Sequence, residues 1–271
     1  MLLLLSSCGN SDPDKHILTV SIEPQRYLLE QIAGDGWNIN TMLSNGANPE
    51  TFDPPMSALK AASNSAAYFT VGTINFESIL VNKIGSGITV VNTSAGIPLL
   101  HGTHDCGNHN HKHDSDADPH VWSSVRNAKI MAKNMLNALS NLDSKNAHIY
   151  QQNYNKLEAR LDSLDSVISE ILLPKQGRTF VTWHPSLSYF AHDYNINQLS
   201  IGSEGKEMSA EAFRSKIDQM KQLNVNTMLL QPEMDNNRSK ETARQAGIHA
   251  VTVNLLGYDF LEQMVNVAKL I

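Results

Sequence analysis

Three short segments carry side chains able to ligate a metal ion. Asp118-Pro119-His120-Val121-Trp122 and Trp183-His184-Pro185-Ser186-Leu187-Ser188-Tyr189-Phe190 each set one histidine beside proline and aromatic residues. The third, Asn45-Gly46-Ala47-Asn48-Pro49-Glu50-Thr51-Phe52-Asp53-Pro54, is a turn in which two prolines bracket a carboxylate and restrict how far the backbone can swing it. Imidazole nitrogen and carboxylate oxygen are donors for Zn²⁺ and, at higher coordination number, for Mn²⁺ or Fe²⁺. Taken singly, a histidine beside an aromatic ring is as readily a packed core or capping residue. Of the 11 histidines, five more (His101, His104, His109, His111 and His113) cluster with Asp105 and Asp114 in a polar stretch, 101–118, that shows no hydrophobic periodicity and reads as a loop. Such a tract either holds borderline metals weakly or is a solvated linker. Ser186 near His184 lacks the third member and the glycine elbow of a nucleophile. The chain contains no His-Glu-x-x-His, Gly-x-Ser-x-Gly or P-loop pattern.

The elements that must position these residues alternate. Apolar, β-rich runs at 17–22, 38–43, 67–71 and 88–91 are separated by helical stretches, one of which stops at Gly34. A helix over 124–139 follows the loop. Tyr150, Tyr154, Leu157, Leu161, Leu164, Ile168 and Ile171 recur at spacings of four and three with no Gly or Pro before Pro174. That predicts a continuous helix of roughly 28 residues, about 40 Å long, capped by Asp143 or Ser144. A coiled-coil seam is the competing reading, but about three heptads is thin for one. Beyond it, strands at 179–183, 227–230 and 250–253 alternate with helices at 210–223 and 240–246, the latter ending at Gly247. The expected fold is α/β, with two similar lobes, each a small parallel sheet flanked by helices, joined by one long rigid helix. The lobes span 17–142 and 174–271, the linking helix 143–173. The site is expected in the interlobe cleft, at the carboxyl ends of strands.

Composition narrows the function classes. Lys+Arg 21 against Asp+Glu 27 gives a net charge of −6 over 271 residues, and no basic block suggests a nucleic-acid partner. Aromatic residues at 6% are few for a base- or sugar-stacking surface. No run reaches the roughly 20 apolar residues of a membrane span. The opening Met1-Leu2-Leu3-Leu4-Leu5-Ser6-Ser7-Cys8 has the form of a bacterial lipobox, so 1–8 reads as a lipoprotein signal with Cys8 as the lipidated residue and 9–16 as a tether. The leucines lack a preceding Lys or Arg, which places the expected true start upstream. With Cys8 lipidated, Cys106 has no intrachain partner.

Together these segments resemble the metal-binding lipoproteins of ABC uptake systems, the zinc and manganese solute-binding proteins often called ZnuA/TroA-like. The Asp-Pro-His-apolar-Trp pattern implies a ligating His120. The histidine ahead of Tyr189-Phe190-Ala191 implies a ligating His184. The turn at 46–54 corresponds to a family segment that most often carries histidine where this chain has Glu50, so the implied donor there is a carboxylate. Ser21-Ile22-Glu23-Pro24-Gln25, Ile32-Ala33-Gly34-Asp35, Glu204-Gly205-Lys206-Glu207 and Gln231-Pro232-Glu233 extend the resemblance from 17 to 271. The family's last ligand, often acidic, falls on the neutral Asn254. A water is therefore the expected fourth donor, with Glu207 or Asp259 as alternatives. The resemblance implies binding rather than catalysis. It points to capture of a divalent ion, Zn²⁺ first, by a periplasmic or extracytoplasmic monomer held to a bacterial membrane by lipid and serving an ABC permease and its ATPase. Two other readings stay open: a zinc-dependent hydrolase using the same donors, and an adhesin-type surface lipoprotein with a structural metal.

Overall fold

The computed structural model describes residues 17–43, 46–84, 87–101, 117–202, 209–223 and 225–271. In the first half, β1 (Ile17–Val20), β2 (Asn38–Thr41), β3 (Ala67–Thr70) and β4 (Thr89–Asn92) form a four-stranded parallel sheet in the order β2-β1-β3-β4. The central strands read Ile-Leu-Thr-Val and Ala-Tyr-Phe-Thr and are almost wholly buried, as parallel strands covered on both faces must be. Register is set by Ile17 opposite Asn38 and Leu18 opposite Ala67. Three helices serve as crossovers: α1 (Glu23–Ala33), α2 (Met56–Ser63) and α3 (Asn75–Ile84). The turn after β3 brings Gly72 so close to Asn92 that an added Cβ would lie 2.2 Å from its Oδ1, and Gly72 has φ +91.

After residue 117 come a 3-10 turn (Val121–Ser123), then α4 (Val125–Leu142) and α5 (Ala147–Leu172). Ser124 caps α4 by accepting from the Asn127 amide. The long helix runs 26 residues, about 39 Å. It starts later than the spacing predicts, because a 3-10 turn at Ser144–Asn146 intervenes and Asn146 stands at the cap position. The Asp143 carboxylate instead accepts from the Asn146 side-chain amide and the Tyr150 hydroxyl, each at 2.7 Å. Tyr150, Tyr154, Leu157, Leu161 and Ile168 are buried as their spacing requires. At the far end Leu172 is buried and Ile171 only half-buried. A helix of 3.6 residues per turn drifts about 20° per heptad from a 3.5 repeat, which moves the inward position by one residue.

The second sheet repeats the first. β5 (Thr179–Thr182), β6 (Asn197–Ser200), β7 (Thr227–Leu230) and β8 (His249–Thr252) are parallel in the order β6-β5-β7-β8. They alternate with α6 (Ser188–Asp193), α7 (Ala210–Gln222), α8 (Asn237–Ala246) and the closing α9 (Phe260–Leu270). Edge strand β6, Asn-Gln-Leu-Ser, carries no apolar alternation, which is why the sequence pattern does not reveal it. One apolar cluster runs from both faces of the first sheet, through the buried side of α5, to Phe180, Phe190 and α9 in the second half. A smaller cluster, including Val181, Met220 and Met228, fills the other face of the second sheet. Across the far side of the junction Tyr258 donates to Glu30 at 2.6 Å, and the Tyr27 ring meets Tyr258 and Phe260 edge-on. The two halves therefore share core, not merely a tether. Among the described residues no helix is long and apolar enough to cross a membrane.

Candidate metal centre

In each sheet the strand order reverses between two central strands, β1 and β3 in the first, β5 and β7 in the second. Open α/β sheets present a crevice beyond the carboxyl ends of such strands. His184 lies two residues past β5 and Gln231 one residue past β7. Glu50 sits in the turn between β2 and α2, where its amide donates to Asn48 Oδ1 at 2.9 Å. His120 sits at the head of the 3-10 turn leading into α4. The segment bearing His120 is gripped from both halves. Thr73, just past β3, donates to the Pro119 carbonyl at 2.7 Å, the Tyr189 hydroxyl of α6 donates to the Asp118 carbonyl at 3.0 Å, and the Asn127 amide donates to the Val121 carbonyl at 3.0 Å.

These supports bring three donor atoms together. His120 Nε2 and His184 Nε2 are 3.1 Å apart, and Glu50 Oε1 is 3.0 Å from His184 Nε2 and 3.6 Å from His120 Nε2. Among the described residues this is the group of His, Cys, Asp and Glu side chains able to share one ion. Donors held about 2.0–2.1 Å from a tetrahedral Zn²⁺ lie about 3.3 Å from one another, so the triangle is close to one face of such a site. Glu50 Oε1 is buried and lacks a hydrogen-bond partner of good geometry, as expected where a cation rather than a proton belongs.

Electrostatics prepare the donors. Burial pushes the Glu50 carboxyl up, but the adjacent His184 and His120 imidazoles outweigh it and hold it below the usual carboxylate range. Burial likewise opposes Asp118, and its contact with His120 wins, so Asp118 also lies low. Ionised Asp118 accepts from His120 Nδ1 at 2.8 Å and from the His120 amide at 2.9 Å. With the proton on Nδ1, the lone pair of His120 Nε2 faces the triangle, the arrangement by which outer carboxylates orient metal-binding imidazoles. The cavity at the triangle measures about 10 Å³ and is lined by His120, His184, Gln231, Glu233 and Leu255, among others. That is space for about one water-sized species. Organic ligands need several hundred Å³. A larger groove, about 280 Å³, lies between α5 and α9, with Arg160 and Leu261 on its walls, away from the histidines.

The remaining described candidates make local contacts. Asn254 spends its side-chain oxygen on the Leu256 amide at 3.2 Å. Asp259 is exposed at the start of α9, where its carboxylate accepts from Gln263 at 3.1 Å. His101 is exposed and pairs through its backbone with Ala117, bringing together the two ends of the intervening stretch. Cys8, His104, His109, His111, His113 and Glu207 lie outside the described residues. Sequence reasoning assigned no role to Asp118, Thr73, Tyr189, Gln231 or Glu233. The available signal was position, since Thr73, Gln231 and Glu233 each follow the carboxyl end of a buried strand.

Comparison with known proteins gives the family and the fold. A family model described as zinc-uptake complex component A, periplasmic (ZnuA), matches residues 18–270. A crystal structure of ZnuA superposes with a TM-score of 0.85 at 29% identity, covering 94% of this chain and 97% of that one. The zinc-binding lipoprotein AdcA of Streptococcus pneumoniae is 24% identical over 269 residues, 94% of this chain but 53% of its own length, so this chain spans about half of it. FpvC of Pseudomonas aeruginosa, solved with Mn²⁺, shares the fold at a TM-score of 0.77 and 19% identity, covering 94% of this chain and 96% of that one.

Proposed function

The chain belongs to the zinc-uptake complex component A family, solute-binding proteins rather than enzymes, and from that premise we propose that it captures Zn²⁺ between its lobes and passes it to an ABC permease driven by an ATPase. The observation that carries the reading is the convergence of His120, His184 and Glu50 from three separate loops on one ion-sized space. Two neutral imidazoles and one carboxylate, with a solvent donor completing the set, suit Zn²⁺. The zinc-uptake family and the zinc-binding relative AdcA support zinc as the cargo, and the same donors bind Zn²⁺ more tightly than Mn²⁺ by intrinsic order of affinity. The protein acts as a monomer outside the cytoplasm, attached to a bacterial membrane through lipid on Cys8.

Titration of the untagged, metal-stripped protein with Zn²⁺ and Mn²⁺ against a competing chelator tests the reading. One tight Zn²⁺ equivalent is expected, with Mn²⁺ much weaker, and His184→Ala should lose the tight equivalent by several orders of magnitude. Near-native Zn²⁺ affinity in that variant would remove His184 from the site. Tighter Mn²⁺ than Zn²⁺ binding would refute the choice of cargo. Delivery is tested by growth of the source bacterium under zinc limitation, which deletion of this gene should slow and added zinc restore.

A further inference from the structure

Three protein donors leave a tetrahedral ion one position short, and the turn after β7 is built to complete it. Gln231 is only 5% exposed, and its Oε1 is buried without a hydrogen-bond partner among the described residues. The other end of the same amide faces the His184 carbonyl at 3.5 Å and the Ser186 hydroxyl. A carbonyl accepts only from N–H or O–H, so the NH₂ end is the one turned toward it and the orphaned end is the oxygen. Two residues on, Glu233 lines the same cavity and makes no ion pair among the described residues. Both are acceptors, and both stand beside a space large enough for one water. A water bound to a cation through its lone pair has two protons to donate and requires two acceptors. Gln231 and Glu233 provide that number.

We propose that Gln231 and Glu233 together hold the fourth donor of the ion, a water molecule, with Gln231 Oε1 accepting one of its protons and the Glu233 carboxylate the other. The proposal rests on the metal-capture reading above. It makes the turn after β7 a positioning element of the site and leaves Asn254 and Asp259, whose oxygens are engaged locally, outside it.

The test pairs a structure with an affinity series. In a crystal structure of the zinc-loaded wild-type protein, a solvent oxygen should lie on the ion within hydrogen-bond distance of both Gln231 Oε1 and the Glu233 carboxylate. Glu233 bound directly to the ion, or a fourth position filled by any other side chain, overturns the proposal. In chelator competition, Gln231→Met, which keeps volume but removes the acceptor, should weaken Zn²⁺ binding about 10–100-fold, the usual cost of losing an outer-sphere partner. Gln231→Glu restores an acceptor and should recover most of that loss. Glu233→Leu should weaken binding to a similar degree as Gln231→Met. Equal affinity in Gln231→Met and wild type, with unfolding midpoints unchanged in the metal-free proteins, refutes the role of Gln231. If the wild type itself binds no Zn²⁺ tightly, the metal-capture reading fails. If it binds tightly, depends on His184 and ignores Gln231 and Glu233, only the present inference fails.

Discussion

At the scale of the residue, the site is a competition among charges for buried lone pairs. Glu50 and Asp118 are both held below the ordinary carboxylate range by the imidazoles beside them. A carboxylate lowered in the folded state contributes stability that is present above its unfolded value, about 4, and lost only as pH falls through the lowered value. Between pH 7.5 and 5 both carboxylates therefore stay ionised. Because an imidazole must give up its proton to bind metal, Zn²⁺ affinity should weaken as pH falls from 7.5 to 5.5. Dissociation constants measured at pH 7.5, 6.5 and 5.5 check this, and an affinity unchanged at pH 5.5 would contradict it. Asp118→Asn keeps an acceptor for His120 Nδ1 but removes the charge that fixes its proton. It should weaken Zn²⁺ about 10–100-fold and lower the unfolding midpoint of the metal-free protein, since the ionised carboxylate's contribution to stability is lost. Asp118 was visible in the sequence as part of a motif, but its task was not, because nothing in a linear string says that an aspartate two residues before a histidine turns back to its ring.

At the scale of the element, α5 and the turn after β3 carry the most structural consequence. Leu161 is fully buried on the inward stripe of α5. Leu161→Ala should cost about 2–5 kcal/mol, read as a lowered urea midpoint, while leaving the metal-site residues in place. Gly72 combines φ +91 with an approach to the Asn92 side chain, which would have to move to admit a Cβ. Gly72→Ala should cost about 1–3 kcal/mol and, because Thr73 then grips Pro119 less well, also weaken Zn²⁺. Wild-type affinity in Gly72→Ala would sever that link. The long helix was legible because seven apolar residues recur at its period. Its start was not, since the choice between α-helix and 3-10 turn over 144–146 depends on Asp143 reaching Asn146 and Tyr150. Strand β6 was illegible for a different reason: an edge strand needs few apolar side chains, so its pairing with β5 leaves no pattern.

At the scale of the molecule, the lobes are joined by a helix whose buried side belongs to the same apolar cluster as both sheets, and by the Tyr258–Glu30 contact behind it. Large rotation would have to open that cluster, so ion capture should proceed by small local adjustments rather than a wide hinge. Solution scattering of the metal-free and zinc-loaded protein should give equal radii of gyration within error; a clear contraction on loading would show hinge closure. The histidine-rich stretch should be separable from the tight site, because Thr73, Tyr189 and Asn127 grip the segment that carries His120. Deleting 102–116 is expected to preserve the tight Zn²⁺ equivalent and to remove only weak additional ones, as counted by equilibrium dialysis.

Local chemistry is written in local strings. The amino-acid order alone determined the α/β alternation, the long helix and the candidate histidines, because hydrophobic period, prolines and glycines act over a few residues. Convergence is not local. Only the folded chain decided that Glu50, His120 and His184, from loops up to 134 positions apart (184 − 50), meet within 3.6 Å, and that Asp259 does not join them. That outcome depends on strand order and on how two sheets pack across α5. These are set by the summed burial of dozens of side chains, and no single motif records it.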